Sequence, residues 1–251
     1  MAIEVFNRYE KKYLVTDEQY KQLRMRLNEF MEADAFCKGD GTYSIWNLYY
    51  DTKDDLLIRR SIEKPLYKEK LRLRSYGATT YHDKVFLEIK KKYNGRVNKR
   101  RTKLTLLEAY EYANTKLKPE YKPYMNKQVL NEIDYMVNFY GLKPKVFIAY
   151  DRVALFDKND HDFRVTFDKN IIARRYDLGL HYGAYGDSLL EDGYWLMEVK
   201  IANAMPMYMT KLLSELKIKA VSFSKYGTEY KRLCLKEWNE RAMYEPDMME
   251  E

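Results

Sequence analysis

The sequence predicts an α+β fold in which about eight strands form an antiparallel sheet or barrel with helices packed outside. Three observations carry that prediction. Strand-like segments alternate with period two and follow one another through turn signals, as locally connected antiparallel strands do. Capped helical segments interrupt them. No Pro/Gly/Ser-rich linker or low-complexity stretch divides the chain, so residues 1–251 read as a single domain with a core over about 3–238.

Taken in order, Ile3 to Val15 is strand-like, with Arg8, Glu10 and Lys12 on one face. A helix follows, because Thr16 and Gln19 have capping-box spacing and Tyr20, Leu23, Leu27 and Phe30 recur at helical intervals. Tyr43 to Asp51 is a strand and Asp54 to Ile62 a short helix. Lys68 to Tyr76 and Val85 to Lys90 form a basic hairpin, in which Lys70, Arg72 and Arg74 share one face and Glu88 and Lys90 share another. Asn94-Gly95 is a turn signal, after which Lys99, Arg101 and Lys103 alternate in a further strand. Thr105 to Leu117 and Asn126 to Tyr140 are helices, the second capped by Asn126 and Gly141. Lys145 to Leu155, Phe163 to Asp168 and Tyr194 to Lys200 are strands, the middle one placing Arg164, Thr166 and Asp168 on one face. Helices over Pro206 to Leu216 and Tyr226 to Trp238 close the domain, and the acidic, Met-rich end frays.

The net charge of +7 is one site and not a general property of the surface. Lys64 to Lys103 holds fourteen Lys/Arg against three acids, leaving 31 against 35 elsewhere. Three cations on one strand face repel each other, so something anionic belongs over them. Cys37 and Cys234, far apart and without metal-ligand neighbours, suggest reduced thiols in a cytosolic protein. Neither a secretory signal nor a run of about 18 apolar residues is found, so a cytoplasmic protein without a membrane span is expected.

One pattern recurs. Glu10-Lys11-Lys12, Glu88-Ile89-Lys90 and Glu198-Val199-Lys200 each set a carboxylate and an ammonium two residues apart on one strand face. A single such pair is an ordinary surface ion pair. Three on separate strands, with the faces turned into one barrel, would put three Glu beside Lys12, Lys70, Arg72, Arg74, Lys90, Arg152, Arg164 and Lys200. Buried charge on that scale requires water and ions. Carboxylates with open positions suit Mg²⁺ or Mn²⁺, and Arg forks and Lys point charges suit phosphoryl oxygens. Together they describe a site for a polyphosphate chain with bound metal.

The motifs Arg8-Tyr9-Glu10-Lys11-Lys12-Tyr13, Lys70-Leu71-Arg72-Leu73-Arg74, Phe86-Leu87-Glu88-Ile89-Lys90, Tyr150-Asp151-Arg152, Arg164-Val165-Thr166-Phe167-Asp168, Glu198-Val199-Lys200 and Ser224-Lys225-Tyr226 occur in that order. Their combination resembles the vacuolar transporter chaperone (VTC) polyphosphate polymerase domain, one of the triphosphate tunnel metalloenzymes, from Phe6 to about Leu233. The resemblance implies an eight-stranded antiparallel tunnel and ATP as phosphoryl donor to inorganic polyphosphate. It implies Glu198 as the metal-binding glutamate, with Glu10 and Glu88 as supporting acids for Mn²⁺ or Mg²⁺. It implies Lys12, Arg72, Arg74, Lys90, Arg152, Arg164 and Lys200 as the residues that hold the triphosphate, with Lys70, Lys99 and Arg101 beside them. Ser224 and Lys225 match the motif on a closing helix, and Tyr150 matches a tyrosine near the nucleotide. The sensor domain and membrane helices of the eukaryotic polymerase have no counterpart here, which leaves room for a separate membrane-protein partner and fixes no oligomeric state.

Three other readings stay open at this level. The same fold could transfer the phosphoryl group to water, as a tripolyphosphatase or nucleoside triphosphatase. It could bind polyphosphate as a non-catalytic accessory domain, for which loss of the metal glutamate would be the signature, and Glu198 is present. Nucleic-acid binding would use Tyr76, Tyr81 and Tyr93 for stacking, but acids interleaved with the cations would repel its backbone, so no nucleic acid is expected. Lys91, Arg96, Arg100 and Lys103 are expected to form a basic outer rim. His82, His161 and His181 are assigned no role.

Overall fold

A computed structural model describes residues 9–37, 41–94, 96–202 and 204–244, with side chains to 240. Ten strands and six helices are formed among them. The strands are β1 (Tyr9–Thr16), β2 (Met31–Ala33), β3 (Tyr43–Asp51), β4 (Tyr67–Ser75), β5 (Lys84–Tyr93), β6 (Arg96–Thr105), β7 (Lys143–Asp157), β8 (Arg164–Arg174), β9 (Asp187–Ser188) and β10 (Tyr194–Ile201). The helices are α1 (Asp17–Leu27), α2 (Leu56–Ile62), α3 (Leu106–Thr115), α4 (Lys127–Tyr140), α5 (Met207–Glu215) and α6 (Lys225–Tyr244). The expected strand over residues 3–8, Gly95 of the expected turn and the chain end after 244 lie outside the described residues.

Eight strands follow one antiparallel path, β1-β10-β8-β7-β3-β4-β5-β6, with β2 added to β7 and β9 to β8. This is the expected α+β barrel-like sheet, with one qualification of its geometry. Among the described residues no backbone ladder joins β6 back to β1; instead the Lys90 ammonium on β5 lies 3.7 Å from Glu10 on β1, so charged side chains meet across the interior.

Strand alternation sorts the side chains. Outward-facing Leu71, Leu73, Leu87, Ile89, Leu104 and Phe147 pack under α3 and α4, where Ala109, Val129, Ile133 and Met136 supply the helical stripes. On the other side, Val153, Val165, Phe167, Trp195 and Met197 pack under α1 and α5 through Leu23, Leu27, Met209 and Leu212. With these two cores outside the sheet, the inner face is free to carry charge over part of its length, the rest holding a third apolar cluster around Ile45, Ile148, Ile171 and Leu196.

The helix ends follow their caps. Thr16 and Gln19 close a reciprocal capping box on α1, Thr105 and Glu108 do the same on α3, and Asn126 caps α4, which Gly141 ends at φ 63°. Lys91 and Arg100 correct the expected outer rim. Both face α4 and bind Glu132, at 2.6 and 2.7 Å, so they tie a helix to the sheet.

Candidate functional site

Three linked charge clusters occupy the inner face. In the first, Glu88 is 1% exposed and meets Arg72, Lys99 and Arg74 at 2.8, 2.8 and 3.7 Å. These residues sit opposite one another because β4, β5 and β6 pair Arg72 with Glu88 and Glu88 with Arg101. Burial opposes ionisation of Glu88, but the guanidinium groups of Arg72 and Arg74 and the ammonium of Lys99 outweigh it and hold the carboxyl below its usual range. Arg74 also donates to Asn47 Oδ1 at 2.9 Å, and Arg72 to the Tyr49 hydroxyl at 3.2 Å.

The second cluster centres on Asp168, which is fully buried. Arg152 donates to both its oxygens, at 2.6 and 2.7 Å, and the Lys225 ammonium lies 2.5 Å from Oδ2. Glu198 is joined to it through shared cations: Lys225 at 3.3 Å and Arg152 at 3.5 Å. The third cluster continues from Glu198 through Lys12, 3.2 Å away, to Glu10, 3.4 Å from the same ammonium. Burial works against the Glu10 charge, yet Lys90, Lys12 and Lys200 bring its carboxyl down to about 2.

Three inward cations, Lys70, Arg101 and Lys200, have no carboxylate partner among the described residues. Burial, followed by the repulsion of Lys90 and Lys68, lowers the Lys70 ammonium to about 7. Burial and then Arg152 lower Lys200 to about 7. Arg164 donates to Asp34 at 3.2 Å and Tyr43 at 3.4 Å, leaving its Nε, like the buried Thr166 hydroxyl, without a hydrogen-bond partner. In sum, Lys12, Lys70, Arg72, Arg74, Lys90, Lys99, Arg101, Arg152, Arg164, Lys200 and Lys225 meet five carboxylates, Glu10, Asp34, Glu88, Asp168 and Glu198. The interior therefore has a large cationic excess and unpaired donors, which is what a polyanion requires.

Of the expected acids, Glu10 and Glu198 share one ammonium, whereas Glu88 is engaged separately by its own three cations. Among the described residues no three Asp, Glu, His or Cys side chains gather at metal-binding spacing. The donor set nonetheless fits a hard divalent cation of the kind held by one or two carboxylates, waters and substrate oxygens. Glu198 and Glu10 are the pair that would hold it.

Ser224 and Lys225 meet at the start of α6. The Ser224 hydroxyl accepts from the Gly227 amide at 3.2 Å, which closes the first turn and leaves Lys225 pointing at Asp168. Tyr150 is only 5% exposed, with the Lys225 and Arg152 cations 4.3 and 5.2 Å from its ring centre. Sequence reasoning set Asp168 on the inner face but gave it no part in the site; its spacing from Arg164 and Thr166 was the available signal. It missed Asn47, Tyr49 and Asp51 altogether. Asp51 accepts from the Leu57 and Ile58 amides at the start of α2 and from the Tyr226 hydroxyl, at 2.8, 3.0 and 2.9 Å, and so ties α2 to α6.

The profile of the VTC domain family matches residues 7–234. No curated protein matches the sequence. Among solved structures, a candidate adenylate cyclase from Bacillus halodurans superposes with a TM-score of 0.54 at 16% identity, over 87% of this chain and 95% of that one. One from Vibrio parahaemolyticus gives 0.48 at 13% identity, over 90% and 99%. A third, from Hippeastrum, gives 0.47 at 16% identity, over 87% and 93%; a dominant triphosphatase activity is described for that protein.

Proposed function

The chain belongs to the VTC domain family, and from that premise we propose that it is a metal-dependent polyphosphate polymerase. It transfers the terminal phosphoryl group of ATP to a growing inorganic polyphosphate chain and releases ADP. The observation that supports this most is the cationic excess of the inner face, with Arg72 and Arg74 arranged by Glu88 on β5 and Arg152 by Asp168 on β8.

In this reading the phosphate chain lies along Arg72, Arg74, Arg152 and Arg164, whose forks match phosphoryl oxygens. Lys12, Lys90 and Lys200 neutralise charge as it shifts during transfer. Lys225 is aimed by Asp168 at the reacting phosphoryl group, Lys70 and Lys99 hold the polymer beyond it, and Arg101 lies toward the opposite end, beside Phe86. A divalent cation on Glu198 and Glu10 would supply further neutralisation of the phosphoryl oxygens. Because these carboxylates now neutralise Lys12 and Lys225, substrate binding must replace internal ion pairs with phosphate contacts.

Incubation with ATP and Mn²⁺, followed by separation of the products, tests the reading. Long polyphosphate with ADP is expected; absence of both polymer and ATP turnover would overturn it. One observation favours hydrolysis as a second reading. Past Tyr150 the inner face becomes apolar, where Ile45, Ile148, Ile171 and Leu196 pack with Leu189, Leu190 and Tyr226. A passage narrowed there would suit a short triphosphate, and orthophosphate as the sole product would decide for it.

A further inference from the structure

The inward-facing series on β4 and β5 ends in rings where its other members are charged, and a ring, Tyr43, also begins the inward face of β3. Tyr43 lies opposite Arg152, and Phe86 opposite Arg74, while Tyr76 immediately follows β4. Phe36, from the segment after β2, joins them. Its ring is nearly parallel to that of Tyr76, 13° apart with centres 6.5 Å from each other. Tyr76 in turn meets Phe86 edge-on at 5.9 Å and Tyr43 at 6.2 Å. The Arg101 guanidinium lies 4.5 Å from the Phe86 ring centre, and Arg164 donates to the Tyr43 hydroxyl. The rings are thus continuous with the guanidinium row.

If they served only to seal the segment after β2 against the sheet, they would be buried. Phe36 is 70% exposed and Tyr76 50% exposed. Exposed ring faces at the edge of an anion-binding row suit a ligand that is flat and apolar at one end and polyanionic at the other. Tyr150, the tyrosine that the family likeness sets near a nucleotide, is buried beneath two cations and has no face to offer a base.

We propose that Phe36 and Tyr76 form a stacking platform for the base of a nucleoside triphosphate, whose phosphates run inward along Arg74, Arg152 and Arg164. This deepens the phosphate-channel reading and rests on it: it names a nucleotide, not inorganic triphosphate, as the ligand of this end. Recognition is by ring stacking, so the platform accepts the base as a surface.

The test is equilibrium binding of ATP and of inorganic tripolyphosphate to the intact protein and to a Phe36→Ser/Tyr76→Ser double variant. ATP affinity should fall roughly tenfold, the usual worth of one stacked base, while tripolyphosphate affinity stays within about twofold. Tyr76→Phe, which keeps the ring, should retain ATP affinity. An equal fall for both ligands, or no fall for ATP, would overturn the platform and leave the phosphate channel standing. A wild-type protein that binds neither ligand would overturn both.

Discussion

Asp168 accepts hydrogen bonds from Nε and Nη2 of Arg152 and from the Lys225 ammonium, so one negative charge holds two cations that would otherwise repel each other. Removing one member of a buried ion cluster leaves the others uncompensated. Asp168→Ala should therefore cost about 3–5 kcal/mol in urea unfolding; a loss under 1 kcal/mol would show that water takes its place. Glu198→Gln keeps shape and hydrogen-bonding capacity but removes the charge that would hold a divalent cation. Metal-dependent turnover should disappear in the folded variant, whose melting temperature also falls because Lys12, Lys225 and Arg152 lose a charged partner; retained turnover would exclude Glu198 as the metal-holding carboxylate.

Lys70 gives the site a dependence on pH. Its ammonium, lowered to about 7 by burial and then by Lys90 and Lys68, is largely neutral at pH 8 in the folded protein. An arriving polyanion favours the charged form, so binding at pH 8 should take up a proton. Calorimetry in buffers of different ionisation enthalpy measures this uptake, which Lys70→Met should reduce. For stability the sign is the reverse of a paired lysine. The folded protein binds fewer protons than the unfolded chain between about 7 and 10.5, so the burden of a buried ammonium is present below 7 and relieved as pH rises through that window.

At the scale of elements, α6 joins two parts of the molecule through consecutive residues. Lys225 points to the inner face, while Tyr226 donates to Asp51, which also caps the first amides of α2. Tyr226→Phe deletes that hydrogen bond to a buried carboxylate, and a loss of about 1.5–3 kcal/mol is expected from thermal or urea unfolding. Because the same turn sets Lys225, the variant should also weaken tripolyphosphate binding; unchanged affinity would mean that Asp168 alone fixes the lysine. The elements themselves were largely legible in the chain. Thr16 with Gln19, and Asn126 with Gly141, mark helix ends because they satisfy backbone groups that only a helix end leaves open. By contrast β2 and β9, three and two residues long, carry no periodic signal of their own and exist only by pairing with β7 and β8.

Across the whole molecule, two apolar cores lie outside the sheet, while the inner face carries the charge beside a third apolar cluster, so most of the cohesion and the ligand binding draw on different faces of the same strands. Ile133→Ala, in the outer core under α4, should cost about 2–5 kcal/mol and leave the ligand affinity of the protein that remains folded unaltered. Acid acts from the other side. Glu10, brought down to about 2 chiefly by Lys90 against the effect of burial, contributes stability that is complete above the ordinary carboxylate range and is lost as pH falls through about 2.

By itself the sequence determined the strands, their alternation and the capped helices, because period and cap chemistry are local properties of neighbouring residues. It also brought out the repeated Glu-x-Lys and Arg-x-Arg faces on the same grounds. Only the tertiary structure decided which charges meet: that Asp168 is shared by Arg152 and Lys225, that Glu10 joins Glu198 while Glu88 stands with Arg72, and that Lys91 and Arg100 serve α4. Partners that lie up to 186 residues apart are selected by strand order and register, and a period-two pattern reads the same whichever strand becomes its neighbour.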